Sequence, residues 1–99
     1  MRLVKWKLQA LDALTEIIDY IEQYSPAAAA SLHRTIVTAT EGLSFMPYSF
    51  KSGRLPDTRE MFVHPNYVVV YQVKEHVEIL TVLHARQEYT QHPTSMTVR

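Results

Sequence analysis

An α+β fold, in which an antiparallel helix pair covers one face of a short antiparallel sheet, is what this 99-residue chain predicts. Three observations predict it. Apolar residues recur at helical spacing through the first half of the chain. Three segments rich in valine, isoleucine, tyrosine and threonine follow in the second half, at residues 58–63, 67–73 and 77–83, punctuated by Gly53, Pro56, Asp57, Pro65 and Asn66. A three-stranded meander cannot bury its apolar face alone, and two helices are the cover it needs.

The chain opens with Leu3, Val4 and Trp6 set between Arg2, Lys5 and Lys7, an alternation that reads as a short strand. From residue 8 the period changes. Leu11, Leu14, Ile18 and Ile21 define the buried stripe of a first helix over residues 8–24, and Asp12, Glu16, Asp19 and Glu22 form a separate acidic stripe, solvated on an outward face. Tyr20, Tyr24 and Trp6 are expected in the core or at its seam. Ser25-Pro26 then pairs a capping side chain with a proline suited to the first helical position. Four alanines carry the second helix forward, Leu32, Ile36, Ala39 and Leu43 form its buried face, and Pro47 stops it near Phe45 or Met46. So short a link makes the two helices an antiparallel hairpin.

Residues 48–56 form the main loop, ahead of the meander. In its middle strand Tyr67, Val69, Tyr71 and Val73 share one face and Val68, Val70 and Gln72 the other, so this strand is central and covered on both sides. Lys74-Glu75-His76 is a polar hairpin loop. Residues 1–89 are expected to form one domain, and residues 90–99, polar and without apolar period, a flexible tail.

Ten basic and ten acidic residues give a formal net charge of zero, without the excess that drives sequence-independent grip on nucleic acid. The absence of cysteine removes disulfide and thiolate chemistry and fits a reducing compartment. No apolar run has the length of a signal peptide core or a membrane span, so the expected location is cytoplasmic, with no membrane partner. Gly42 and Gly53 are the only glycines, which excludes a glycine-rich phosphate loop, and no spacing of histidines supports a metal, though His64 and His84 can approach each other across the sheet. No cofactor is expected.

Three stretches carry a resemblance. Gly53-Arg54-Leu55-Pro56-Asp57-Thr58-Arg59-Glu60, His64-Pro65-Asn66-Tyr67-Val68-Val69-Val70-Tyr71 and Val77-Glu78-Ile79-Leu80-Thr81-Val82-Leu83-His84-Ala85-Arg86-Gln87 resemble, in order and spacing, the RelE/ParE superfamily of toxins from bacterial type II toxin–antitoxin modules. The resemblance covers about ninety residues, the helix hairpin included. It implies a small toxin neutralised by a cognate antitoxin in a toxin–antitoxin hetero-oligomer. RelE-like members cut messenger RNA on the ribosome, and ParE-like members poison DNA gyrase.

Metal-free RNA cleavage needs a base for the 2'-hydroxyl, cations for the charged phosphorane and an acid for the leaving oxygen. Carried over from the RelE-like pattern, Arg59 falls near one basic position and Arg86 on another, whereas Met61, Val63 and Val68 stand where further cations belong. The ending Leu83-His84-Ala85-Arg86 is similar to the ParE branch, which favours gyrase as target and protein contact in place of hydrolysis. The alternative is a ribosome-dependent endoribonuclease using Arg59, His84, Arg86 and Tyr89; the third is a binding module that keeps the fold and lacks toxicity.

The target-binding candidates are therefore Arg59, His84 and Arg86, and the catalytic candidates of a ribonuclease are His84, Arg86 and Tyr89. Each has a plainer reading. His84 can simply bond the backbone at a strand end, Tyr89 can pin the outgoing chain, and the two arginines can pair with Glu60, Glu78 or Glu88.

Overall fold

Where the chain leaves its opening strand, β1 (Val4–Trp6), extended Lys7 lends its carbonyl to the amides of Ala10 and Leu11 and so starts α1 (Leu8–Glu22). The computed structural model describes residues 1–86; the expected tail, residues 90–99, lies outside them. Ala10 and Leu14 are buried, with Ile17, Ile18 and Ile21 packed beside them. Leu11 is an exception to the apolar stripe, at 44% exposed. Tyr20 and Tyr24 also depart from expectation. Both are exposed, and their i,i+4 spacing sets them side by side, where they pair edge-to-face with ring centres 5.3 Å apart.

Ser25 caps α2 (Pro26–Gly42) by accepting the amide of Ala28 at 3.1 Å, with Pro26 opening the first turn. The helix stops at Gly42, before Phe45. Tight three-residue bonds from Ser44 to Glu41 and from Phe45 to Gly42 unwind the end, and Ser44 is drawn to the start of the chain. Its carbonyl accepts Arg2 N at 3.0 Å and its hydroxyl donates to Arg2 O at 2.6 Å.

The sheet has five strands in the order β1-β5-β4-β3-β2. Its centre is the expected meander of β3 (Arg59–His64), β4 (Tyr67–Val73) and β5 (Val77–His84), antiparallel throughout. Two additions widen it. β1 runs parallel to β5, with Val4 opposite Val77 and Trp6 opposite Ile79, and β2 (Lys51–Ser52), inside the expected loop, pairs antiparallel with β3.

The helices cover one face. There Val69 and Tyr71 of β4 meet Leu14, Leu32, Ile36, Leu43, Met61, Val77, Ile79 and Val82. On the opposite face Val68, Val70 and Leu83 form a second, smaller buried cluster. A strand apolar on both sides is thus buried on both sides, as its sequence requires.

Candidate functional site

The far end of the meander brings together more exposed polar chemistry than its sequence spacing suggests. Tyr67 pairs with His64 on one side and His84 on the other, so three strands contribute one row of rings. A register shift between Phe62 and His64 accompanies this arrangement. The Tyr67 ring lies 5.6 Å from His64 and 5.4 Å from His84, centre to centre. Sequence reasoning considered the two histidines for a metal and missed the tyrosine that separates them.

Backbone bonds fix how both imidazoles are used. Asn66 N donates to His64 Nδ1 at 3.0 Å, and Arg86 N donates to His84 Nδ1 at 3.2 Å. An amide N–H can only donate, so each Nδ1 is the acceptor and each neutral ring carries its proton on Nε2. Both rings therefore offer a donor on the side away from the backbone. That arrangement is wrong for a base at Nε2, and wrong for metal ligation through Nε2, which calls for the proton on Nδ1. The two turns are tied together as well, since Ala85 N donates to Asn66 O at 2.7 Å.

Arg86 follows directly, exposed, with no ion pair among the described residues. Two carboxylates considered as its partners are engaged elsewhere. Glu60, 3% exposed, holds Arg54 Nε at 3.1 Å and lies 4.0 Å from Lys51 Nζ; Glu78 pairs with Lys74 at 3.3 Å. The third, Glu88, and the candidate Tyr89 lie outside the described residues.

Arg59 sits apart from this rim, at the opposite end of β3 and across from Tyr71. Its Nη1 donates to Phe50 O at 2.7 Å and Tyr48 O at 3.4 Å, and its guanidinium lies 4.9 Å from the centre of the Tyr48 ring. Those bonds clamp the segment ahead of β2. Arg59 also lines an open cleft of about 740 Å³ with Tyr48, Arg54 and Lys74. Between Arg59 and Arg86, the middle of the sheet offers hydrocarbon: Met61 is 3% exposed and Val68 fully buried.

A helix hairpin packed on one face of a five-stranded sheet is the fold class, and matches to known proteins give the family. Residues 4–89 match the family described as ParE toxin of type II toxin-antitoxin system, parDE. The chain belongs to this family and is a toxin of the type II toxin–antitoxin class. It is 42% identical over 89 residues to "Putative toxin Y4kP" of Sinorhizobium fredii, covering 89% of this chain and 93% of that protein. It is 40% identical over 88 residues to "Toxin RelE2" of Caulobacter vibrioides, covering 86% and 97%.

Solved structures share the fold. A chain of the chromosomal ParDE system of P. aeruginosa superposes with a TM-score of 0.73 at 21% identity, over 85% of this chain and 96% of that one. A chain of the toxin-antitoxin complex RelBE2 of Mycobacterium tuberculosis gives 0.56 at 20% identity, over 87% and 93%. Among the described residues no helix is long and apolar enough to cross a membrane.

Proposed function

We propose that this toxin acts on the ParE side of its superfamily, inhibiting growth in the cytoplasm by poisoning DNA gyrase, and that a cognate antitoxin neutralises it in a hetero-oligomer. One observation carries the choice of target. Met61, Val63 and Val68, at positions where the RelE-like pattern carries cations, are apolar here, Met61 and Val63 packed in or against the core under the helices and Val68 in the small cluster on the opposite face. Without those cations the charge of a phosphorane has little to stabilise it. His84 adds to this, because its ring has a proton on the outward nitrogen where a general base needs a lone pair.

In this reading His84 and Arg86 touch the target, and Arg59 serves indirectly by holding the segment ahead of β2. An antitoxin partner is supported by membership of a type II toxin-antitoxin family, and the structural neighbours come from a ParDE system and a RelBE2 toxin-antitoxin complex. A second reading, ribosome-dependent mRNA cleavage with His84, Arg86 and Tyr89, draws on the 40% identity to the protein named Toxin RelE2.

The test is direct. Purified protein added to gyrase, ATP and supercoiled plasmid should accumulate linear DNA. The same protein in a translating extract should leave messenger RNA whole. Codon-spaced cuts in the messenger, with gyrase unaffected, would overturn the assignment in favour of the second reading.

A further inference from the structure

The row His64, Tyr67, His84 ends in donors. Each imidazole has its Nδ1 occupied by a backbone amide, and each neutral ring directs an Nε2–H away from that bond. Arg86 adds a permanent cation beside His84. No carboxylate among the described residues pairs with any of them. The rings stand 5.6 and 5.4 Å apart.

A single carboxylate is too small to lie along a row of three rings whose centres stand that far apart. A phosphodiester chain, with an anionic acceptor at every nucleotide, is long enough. We propose that the His64–Tyr67–His84 row and Arg86 form a contact for the phosphate backbone of a nucleic acid strand. The proposal rests on the gyrase reading for where such a strand is met, namely the DNA that gyrase holds. Because Arg86 is the one permanent cation of the four groups, the contact positions the strand without supplying the charge for tight binding by the toxin alone.

The test uses the full chain and a fluorescein-labelled single-stranded DNA at low salt, read by anisotropy, with RNA of the same sequence as a second arm. The double variant His64→Asp/His84→Asp keeps an oxygen to accept the two amides, as aspartate does in such turns, and replaces the outward donors with anions. Its control is Ser31→Asp/Thr35→Asp, which makes the same change in net charge at exposed positions of α2. The histidine variant should bind about tenfold more weakly or worse and the control within about twofold of wild type. Arg86→Ala should flatten the plot of log affinity against log salt by about 0.7.

Equal losses in the two double variants, or no binding by wild type, would overturn the proposal. The gyrase assay separates the two ideas. If the histidine variant binds the strand as wild type does and still traps linear DNA, the strand contact is wrong and the gyrase reading stands. If the row governs strand binding but wild type traps nothing, the contact stands and the gyrase reading falls. If the row is needed to capture DNA-free gyrase and not for binding any strand, the ligand is a protein surface and the proposal fails. Tighter, row-dependent binding of RNA than of DNA supports the phosphate contact and transfers it to a messenger.

Discussion

Tyr71 shows how one phenol can hold two layers together. Its ring is buried under the helices and its hydroxyl donates to Pro47 O at 2.7 Å, tying the central strand to the chain that leaves α2. Burial pushes the phenol above its ordinary value, with the nearby Arg59 charge pulling the other way. A folded-state value above the unfolded one means that the fold favours the neutral form. This contribution is therefore complete below about pH 10 and is lost as pH rises through the folded value. Tyr71→Phe should cost about 1 kcal/mol at pH 7, the worth of one hydrogen bond. Urea melts from pH 7 to 11 should show that deficit narrowing above pH 10, since phenylalanine has no proton to lose; a constant deficit would contradict the sign. Gly53 is a second case. Its amide donates to Thr58 O at 2.7 Å, and a Cβ there would fall inside the radius of Thr58 Oγ1 and 3.3 Å from Glu60 Cγ. Thr58 is buried and its hydroxyl is already bonded to Leu55 O at 2.7 Å, so it has little room to yield. Gly53→Ala should lower stability by about 1–3 kcal/mol, measurable as a fall in the urea midpoint.

The two helices are not equally secured at their starts. Ser25 accepts the Ala28 amide for α2, whereas Lys7 gives α1 no side-chain cap. Ser25→Ala should therefore cost about 1 kcal/mol, and an unchanged urea midpoint would show that the Pro26 turn holds the helix without help. This start was legible in Ser25-Pro26, as the central strands were in their β-branched runs, because both are encoded within a few residues. What escaped the sequence depends on distant partners. β2 is two exposed residues with no period of its own, and exists because Glu60 and Arg59 pair with it. The early end of α2 follows from Ser44 bonding Arg2, 42 residues away. Spacing along α1 does not say which side the sheet takes, so it cannot tell a seam position for Tyr20 and Tyr24 from the exposed one they hold. The rim was half legible: Leu83-His84-Ala85-Arg86 announced a strand ending in a cation, but Tyr67 joins His84 only through strand register. For Arg59, the residue type suggests a ligand-facing cation, and the bond to Phe50 O, set by a loop that the sequence does not place, adds a contact to its own chain.

Charge is segregated along this chain although its total is zero. α1 carries Asp12, Glu16, Asp19 and Glu22 with no basic residue, and the first seven residues carry Arg2, Lys5 and Lys7. Recognition therefore depends on local surfaces more than on a net field, and Arg86 and Arg59 test that division. Arg86 is exposed and forms no ion pair among the described residues, so Arg86→Ala should change stability by no more than about 0.5 kcal/mol. If the rim meets the target, the variant should accumulate to the wild-type level in cells and still lose growth inhibition. Arg59→Ala removes two carbonyl bonds and a stacked ring, and should cost about 1.5–3 kcal/mol. Any loss of toxicity there should follow loss of folded protein. Arg59→Lys should recover little, because an ammonium cannot reproduce the planar fork that stacks on Tyr48 while bonding Phe50 O. Growth inhibition plotted against the amount of folded toxin separates the two arginines. Arg59 variants should fall on the line set by abundance and Arg86→Ala well below it, whereas an Arg86 variant lying on that line would show that the rim takes no part in toxicity.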